Sequence, residues 1–305
     1  MPGECCTNRA MTNVLLFFID GLGIGTRGPH NPLDGLADAS PLANFQKEKS
    51  EIPFAGVLVE TDARLGVDGR PQSASGQTTI LTGINAPAAV GYHKQGFPNR
   101  ALLEVLKEHS IFLQLKRAGV WPITFANTYT QRFFETRPRW ISATTAAVEA
   151  AGLQFNRVED LNAGRAVYQD FTNQILIERG ENVELRTPEQ AGDILASIAA
   201  RHRFTLYEYF ITDKVGHAQD RERARSVLRN LARMIRRVLA NINLTSTTMV
   251  LTSDHGNIED LSTRSHTLHP VPSIIWGAGS HQIANRISSL ADITPAIVSL
   301  LTHDA

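Results

Sequence analysis

Six acidic and imidazole side chains could together bind metal ions. They lie in loops or at the ends of apolar runs: Asp20, Asp213, His217, Asp254, His255 and His266. Carboxylate oxygen mixed with imidazole nitrogen suits Mn²⁺ or Zn²⁺. Cysteine ligation is not expected, because Cys5 and Cys6 stand together in a polar N-terminal stretch. The sequence therefore predicts a site for two divalent metal ions, Mn or Zn.

The spacing of these ligands agrees with that prediction. Asp213-Lys-Val-Gly-His217 places two ligands four residues apart, so both emerge on one face if a helix begins there. Asp254 and His255 would point apart on an extended strand, but Gly256 lets the backbone turn both toward one ion. Each motif alone is more often structural or solvated. Their coincidence at several strand ends supports the metal site.

A stretch of small polar residues could supply a nucleophile, namely Gln72-Ser-Ala-Ser-Gly-Gln-Thr-Thr-Ile-Leu-Thr-Gly83. It leads into a short helical run, and helix N-termini bind anions through their free N–H groups. A hydroxyl there can be both nucleophile and metal ligand, because a neighbouring cation lowers its pKa. The alternative is an ordinary helix N-cap made by Ser73 or Ser75.

The elements that must position these residues alternate strands with helices. Apolar runs predict buried strands over Asn13–Ile19, Phe204–Thr212, Thr247–Ser253 and Val271–Trp276. Apolar periodicity predicts helices over Ala101–Lys107, Ile111–Ala118, Pro188–Arg201 and Arg221–Ala240. This alternation predicts an α/β fold, in which a largely parallel central sheet is sandwiched by helices. Ligands bind at the carboxyl ends of such strands, where the acidic residues stand.

The catalytic core is predicted to be discontinuous along the chain. Segments 13–128 and 187–303 carry the regular pattern and the candidate ligands. The less regular segment 129–186 is interpreted as a small insertion or cap over that core. Residues 1–12 are interpreted as a loose N-terminal tail.

Charge and hydropathy exclude some functional classes. Thirty basic and thirty acidic residues give a formal net charge of zero, so no overall field attracts nucleic acid or an anionic membrane. The arginine-rich stretch 221–240 could bind RNA, but its leucines at helical spacing favour the solvated face of a packed helix. The apolar run 14–19 is too short for a signal core or a membrane span. We therefore expect a soluble, cytoplasmic protein with no nucleic-acid or membrane partner.

Ordered motifs along most of the chain resemble the alkaline phosphatase superfamily, in particular its phosphomutase branch of cofactor-independent phosphoglycerate mutases and phosphopentomutases. Asp213-Lys-Val-Gly-His217 resembles Asp-x-Val-Gly-His, and Asp254-His-Gly-Asn257 matches Asp-His-Gly-Asn. His266-Thr-Leu-His-Pro-Val-Pro272 resembles His-Thr-x-x-x-Val-Pro. In the nucleophile segment, the family's Ser-Ala followed by Thr and a closing Thr-Gly selects Ser73.

The resemblance implies an alkaline-phosphatase-like core, a ligand set and a catalytic residue. One metal would be held by Asp213, His217 and His266. The other would be held by Asp20, Asp254, His255 and the Ser73 oxygen. Ser73 would attack the phosphorus of a small phosphorylated substrate and form a phosphoserine intermediate.

Two departures from the mutases decide which reaction is predicted first. The chain lacks the large insertion that phosphoglycerate mutases carry between the nucleophile and the Asp-x-x-x-His motif, and Gln77 stands where they usually have His. Hydrolysis of a small phosphate ester, by a phosphatase or phosphodiesterase, is therefore predicted first. A phosphomutase is the alternative, and an inactive metal-binding protein is the alternative of another class.

Substrate contacts are predicted at three further residues. His93, Asn127 and Arg132 could bind phosphate or hydroxyl groups of the substrate. For each of them a surface or capping role is the alternative interpretation. The substrate itself, the preferred metal and the oligomeric state are left open by the sequence.

Overall fold

The computed structural model describes residues 12–303. The N-terminal tail predicted over 1–12, with both cysteines, lies almost wholly outside these residues. Six strands form one sheet in the order β2-β6-β5-β1-β4-β3. The strands are β1 (Asn13–Ile19), β2 (Val57–Thr61), β3 (Ile123–Phe125), β4 (Phe204–Tyr209), β5 (Thr247–Ser253) and β6 (Val271–Trp276).

Four of the six strands pair in parallel, and β6 alone in this sheet runs in the opposite direction. The central strand β1 pairs in parallel with β4 on one side and β5 on the other, and β3 extends the parallel set beyond β4. β6 is antiparallel to β5, and β2 is antiparallel to β6. The predicted α/β fold with a largely parallel sheet is therefore confirmed, with an antiparallel edge that the sequence pattern did not indicate.

Helices cover both faces of the sheet. In chain order they are α1 (Ser73–Thr82), α2 (Ala86–Val90), α3 (Arg100–His109), α4 (Ile111–Arg117), α5 (Gln131–Thr136), α6 (Ala143–Ala150), α7 (Val158–Asn162), α8 (Gln174–Glu178), α9 (Pro188–Arg201), α10 (Ile211–Ala218), α11 (Arg221–Asn241), α12 (Ser280–Ala284) and α13 (Ile293–His303). Short 3-10 turns occur at Pro53–Ala55 and Leu290–Asp292.

Side-chain alternation along β1 divides the core into two layers. Leu15, Phe17 and Ile19 face the layer that contains α9 and α11, whereas Val14, Leu16 and Phe18 face the layer that contains α1, α4 and α13. Successive strand residues point to opposite faces, so a strand covered on both sides reads as a continuous apolar run. This explains why β1 was visible in the sequence.

Most predicted elements agree with the structure to within two residues, and one strand boundary was wrong by three residues. β5, β6 and α9 have the predicted bounds. The strand predicted over Phe204–Thr212 ends at Tyr209, because the chain turns at Phe210 and starts α10 at Ile211. Asp213 therefore lies in the first turn of a helix rather than at a strand end. β2 and β3 were not predicted, since they are short edge strands and β2 is only half-buried.

The segment 129–186, predicted as an insertion or cap, contains only short helices, α5 to α8. Isolated bridges join it to the end of β3, through Asn127 with Val167 and Thr128 with Asn156. No helix among residues 12–303 is long and apolar enough to span a membrane.

Candidate metal and nucleophile site

The parallel strands bring three carboxylates to one edge of the sheet. The register places Ile19 of β1 beside Ser253 of β5 and Tyr209 of β4. The next residues after β1 and β5 are Asp20 and Asp254, so their side chains follow at the same carboxyl edge. Asp213 reaches that edge from α10 and packs against Gly21, where an added Cβ atom would lie 3.0 Å from Asp213 Cβ. Gly21 has a φ of +77°, a left-handed conformation suited to glycine.

Asp213, His217 and His266 form one group of potential metal ligands. The imidazole Nε2 atoms of His217 and His266 each lie 3.4 Å from Asp213 Oδ1. Asp213 and His217 share a face of α10, as their spacing predicted. One ligand atom from each residue lies within 4.8 Å of the others, a spacing that could hold an ion.

Hydrogen bonds at the outer ring nitrogens orient both histidines. His266 Nδ1 lies 2.9 Å from the carbonyl oxygen of Pro71, and His217 Nδ1 lies 2.6 Å from that of Arg264. A carbonyl oxygen only accepts, so each Nδ1 carries the proton, and in a neutral ring Nε2 is left with its lone pair. These two Nε2 atoms are 3.2 Å apart. Two lone pairs this close repel unless a proton or a metal ion lies between them, so the pair of neutral rings fits a metal ion.

Asp20, Asp254 and His255 form a second group beside the first. His255 Nε2 lies 3.3 Å from Asp20 Oδ1 and 3.4 Å from Asp254 Oδ2. Asp213 also lies within 4.8 Å of Asp20 and His255, so it belongs to both groups. Asp20 Oδ1 is buried without a hydrogen-bond donor in the described part of the chain. A buried carboxylate oxygen without a donor is costly, and a bound cation would satisfy it.

The electrostatics of the metal-free site also favour a cation. Burial and the nearby Asp254 raise the pKa of Asp20 well above its ordinary range, and burial with Asp213 nearby raises the pKa of Asp254 to about 8. Burial would raise the pKa of Asp213 too, but its hydrogen bond with His266 lowers that pKa to about 2. Burial lowers the pKa of His255 to about 3, so its ring is neutral and can donate a lone pair to a metal.

Ser73 is the first residue of α1, and its hydroxyl faces the second group. Ser73 Oγ lies 3.0 Å from His255 Nε2. The other candidate, Ser75, points elsewhere: its Oγ accepts from Lys94 N at 3.0 Å and donates to the Gln72 carbonyl. Gln72 is the N-cap of α1 and makes no side-chain capping bond. Ser73 therefore does not serve as the N-cap of α1.

Close packing holds α1 against the metal-ligand loop. A Cβ atom on Gly76 would lie 2.9 Å from the carbonyl oxygen of Asp254, which is too close for any larger residue without movement. Gln77 lies one turn after Ser73 and donates from Nε2 to Asp20 Oδ2 at 3.0 Å and to Asp254 Oδ2 at 3.3 Å. Gln77, noted in the sequence only as a departure from the mutases, thus bridges the two buried carboxylates.

Glu259 is a site residue that sequence reasoning missed. Its buried carboxylate accepts from the backbone amides of Gly23 and Asn257, both at 2.8 Å. It also accepts from Thr267 Oγ1 at 2.5 Å and contacts His269 Nδ1 at 3.1 Å. These partners come from the turn after β1, the loop after β5 and the segment before β6. The sequence signal that could have indicated Glu259 is its position two residues after Asn257 and next to the apolar Ile258, which the structure buries.

Asn257 directly orients Asp213, a candidate metal ligand. Its Nδ2 donates to Asp213 Oδ1 at 2.6 Å and to the Asp213 carbonyl oxygen at 3.1 Å. Gly216 of α10 allows this approach, because a Cβ atom there would lie 2.6 Å from Asn257 Oδ1. The final residue of the Asp-His-Gly-Asn motif therefore connects the loop after β5 to α10.

A cavity of about 570 Å³ opens beside Ser73 and is lined by Asp20, Gln77 and Asp213 at one end. Of the three residues predicted as substrate contacts, Asn127 lines this cavity. Its side chain is held by the backbone of Glu208, through Asn127 Nδ2 to Glu208 O at 2.8 Å and Glu208 N to Asn127 Oδ1 at 2.9 Å.

The other two predicted substrate contacts do not line the cavity. His93 has Nε2 3.2 Å from the carbonyl oxygen of Val67, and Arg132 is an exposed residue of α5. The cavity is lined instead by two charged residues that the sequence did not single out, Glu208 of β4 and Lys214 of α10. Burial raises the pKa of Glu208 to about 7.

Sequence comparison finds relatives with a named activity for part of the chain. The 2,3-bisphosphoglycerate-independent phosphoglycerate mutase of Dinoroseobacter shibae is 30% identical over 125 residues, which cover 39% of this chain and 25% of that enzyme. That of Roseobacter denitrificans is 30% identical over 154 residues, 46% of this chain and 30% of the enzyme. The matches thus span less than a third of the length of these relatives.

Solved structures with the same fold match nearly the whole chain. The alkaline phosphatase of the Antarctic bacterium TAB5 matches with a TM-score of 0.53 and 13% identity, covering 97% of this chain and 99% of that one. At this identity the likeness shows the fold alone. The sequence model of the metalloenzyme superfamily matches residues 12–305. The chain therefore belongs to the metalloenzyme superfamily, has the alkaline-phosphatase-like fold that its motifs predicted, and shares sequence with cofactor-independent phosphoglycerate mutases.

Proposed function

We propose that this protein catalyses two-metal-dependent phosphoryl transfer through a phosphoserine at Ser73, and that the reaction is hydrolysis of a small phosphate ester. The observation that carries the proposal is the position of the Ser73 hydroxyl. It stands at the N-terminus of α1, 3.0 Å from His255 Nε2 and next to buried carboxylates, of which Asp20 has an oxygen without a hydrogen-bond donor in the described chain. That arrangement combines a nucleophile, an anion-binding helix end and metal ligands.

The residues divide between two divalent ions, Mn²⁺ or Zn²⁺. One would be held by Asp213, His217 and His266, and the other by Asp20, Asp254, His255 and the Ser73 oxygen. When bound, such ions lower the pKa of a coordinated hydroxyl and neutralise charge on the phosphoryl group and the leaving oxygen. Gln77, Asn257 and the backbone carbonyls at the histidine Nδ1 atoms hold the ligands in place.

The chemistry proceeds in two displacements. Ser73 Oγ forms a bond to phosphorus as the bond to the substrate alcohol breaks, and the alcohol departs with the proton that Ser73 gives up. Water then attacks the phosphoserine, which releases inorganic phosphate and restores the Ser73 hydroxyl. α1 directs the positive end of its dipole at the phosphoryl oxygens, and Lys214 adds a positive charge in the adjoining cavity.

A phosphomutase is the second candidate, because the matched relatives are named as phosphoglycerate mutases. In that case the phosphoserine would return its phosphoryl group to a second hydroxyl of the same substrate instead of to water. Gln77 in place of the mutases' usual His favours the hydrolase. A metal-binding protein without activity is the third candidate, and it predicts that no phosphate ester is turned over.

Replacement of Ser73 tests the nucleophile, and Ser75 supplies the matched control two residues away. Ser73→Ala should keep its metal content roughly intact, because Asp20, Asp254 and His255 remain as ligands of the second ion, but it should lose more than about a thousandfold in the rate of phosphate release and all phosphorylation of the chain. Ser75→Ala should keep most of its activity, because Ser75 Oγ faces Lys94. Rates would be measured with phosphomonoesters, phosphodiesters and sugar phosphates in the presence of Mn²⁺ or Zn²⁺.

The same measurements separate the candidate functions. Free phosphate favours the hydrolase, and an isomerised sugar phosphate without free phosphate favours the mutase. Full turnover by Ser73→Ala would exclude Ser73 as the nucleophile. If the wild-type protein binds stoichiometric metal but reacts with none of these esters, the remaining candidate is a metal-binding protein without activity.

A further inference from the structure

We propose that the cavity beside Ser73 binds the aromatic ring of an uncharged organic group esterified to the phosphate. This inference rests on the proposed phosphoryl transfer at Ser73 and specifies its substrate class. The cavity of about 570 Å³ is continuous with the metal and nucleophile site, since Asp20, Ser73 and Asp213 line it. Its volume is in the range of pockets that enclose a small organic ligand.

Aromatic side chains form the walls of this cavity. They come both from the core and from the segment 129–186, and they include Phe97, Tyr129, Phe133, Trp140, Tyr168 and Phe210. Aromatic faces and edges favour stacked or edge-on contacts with another ring. Walls of this composition therefore select a planar, apolar group over a hydrated sugar.

Part of the wall is rigid, and part is exposed at the rim. Tyr129 packs against Phe133 with ring centroids 4.6 Å apart and against Phe155 at 4.5 Å. Phe97 and Trp140 are 47% and 55% exposed although they are large and apolar. Exposed aromatic side chains at the mouth of a cavity are typical of a binding surface, because burying them on a ligand recovers hydrophobic free energy.

The charges in the cavity indicate that this organic group is neutral. Apart from Asp20 and Asp213, the charged lining residues in the described chain are Lys214 and Glu208. Lys214 lies beside Asp213 in α10, next to the site proposed for the phosphoryl group, with its Nζ 4.5 Å from the Phe210 ring. No described arginine lines the cavity, so a second anionic group such as the carboxylate of a phosphoglycerate finds no cationic partner there besides Lys214. Glu208 would repel it when ionised.

Non-hydrolysable phosphonates test the inference by binding, which needs no turnover. In the presence of Mn²⁺ or Zn²⁺, naphthylmethylphosphonate should bind about tenfold or more tightly than methylphosphonate, because its ring enters the aromatic cavity. It should also bind at least about threefold more tightly than hexylphosphonate, which is apolar but lacks a ring. Dissociation constants would be measured by calorimetry. Equal affinities for naphthylmethyl and hexyl phosphonates would overturn the aromatic assignment.

Two exposed tryptophans provide a matched pair of variants. Trp140→Ala should weaken naphthylmethylphosphonate binding about threefold to tenfold and leave methylphosphonate unchanged. Trp121→Ala should change neither, since Trp121 is 61% exposed and does not line the cavity. Phe97→Ala is a second rim variant with the same expectation as Trp140→Ala. If both rim variants bind all the phosphonates like the wild type, the inference is wrong.

The design separates failure of this inference from failure of the proposed function. If phosphate is released from esters but the three phosphonates bind alike, the cavity does not select an aromatic ring, whereas the proposed hydrolysis is supported. If the protein prefers the aromatic phosphonate and the rim variants lose this preference but no phosphate is released, the aromatic assignment is supported and the proposed hydrolysis is wrong.

Discussion

Glu259 illustrates how a single residue without any proposed contact to metal or substrate can determine the site. Its carboxylate accepts hydrogen bonds from the turn after β1, the loop after β5 and the segment before β6. Gly23 and Gly256 pack so tightly on this carboxylate that an added Cβ atom would collide with it. Three motif segments separated in sequence are thus held at one buried anion.

Glu259→Gln should destabilise the protein and weaken metal binding. The glutamine oxygen can replace Oε2, to which both backbone amides donate, but its NH2 group then faces the Thr267 hydroxyl and the His269 N–H. At least one buried hydrogen bond to a charged acceptor is therefore lost, at a cost of about 1–3 kcal/mol. The free energy of unfolding would be measured by urea titration and the metal affinity by calorimetry. Glu51→Gln, at an exposed position, is the control and should change neither. Wild-type values for Glu259→Gln would show that the three segments hold together without this carboxylate.

His269 makes part of the stability depend on pH. Its hydrogen bond to the Glu259 carboxylate raises the pKa of His269 above the ordinary value of 6.5, although burial opposes the rise. The folded state therefore binds this proton more tightly than the unfolded state. The resulting stabilisation is fully present below the unfolded pKa and is lost as the pH rises through the folded pKa.

The difference in unfolding free energy between the wild type and His269→Gln should therefore be larger at about pH 5.5 than at about pH 9. Urea titrations at both pH values measure it. His281→Gln replaces an exposed histidine of α12 and should show no such change. A wild-type minus His269→Gln difference that is the same at both pH values would contradict the assignment.

At the scale of elements, α11 anchors the long loop that follows the glycine-rich turn. Arg225 donates to the carbonyl oxygens of Pro32 at 3.1 Å, Asp34 at 3.0 Å and Gly35 at 2.9 Å. Arg221 and Arg236 bind other carbonyls of the same loop, and Arg233 and Arg237 pair with carboxylates of α9. Five of the seven arginines of this helix thus make intramolecular contacts.

Arg225→Lys should lower the free energy of unfolding by about 1–2 kcal/mol, because an ammonium cannot reproduce the fork that reaches three carbonyls. Arg229→Lys is the matched control one turn later on the exposed side of α11, and it should stay within about 0.5 kcal/mol of the wild type. Thermal and urea unfolding measure both variants. If the two variants have equal stability, the loop contacts of Arg225 contribute nothing.

At the scale of the whole molecule, metal binding should stabilise the fold. The candidate ligands come from segments far apart in the chain, after β1, in α10, after β5 and before β6. An unfolded chain cannot assemble them, so ions held by these residues would bind the native state and shift the folding equilibrium toward it. The repulsion among the buried carboxylates of the metal-free protein would be relieved at the same time.

Saturation with Mn²⁺ or Zn²⁺ should raise the melting temperature by about 5–10 °C, given about 2.7 kcal/mol for each of two ions at a hundredfold excess over Kd. Chelation should reverse the rise, and elemental analysis should find about two ions per chain. Asp213→Ala should abolish most of the shift, since Asp213 belongs to both ligand groups. An equal shift in that variant would place the ions elsewhere.

The sequence by itself determined the local features of this protein. β1, β5 and α9 were visible because each carries an apolar pattern that does not depend on its neighbours. The acidic residues at the ends of β1 and β5, and the Asp-x-x-x-His spacing, marked the candidate ligands for the same reason. A parallel sheet brings its strand ends to one edge, so their proximity could be expected without coordinates.

Only the tertiary structure decided which residues meet across long sequence separations. The antiparallel edge of β6 and β2, the role of Glu259, and the cavity between Ser73 and Trp140 all depend on contacts that leave no periodic trace in the chain. Burial of a polar residue such as Glu259 or Gln77 is favourable only where its partners are in place. Those partners are assembled by packing of the whole domain.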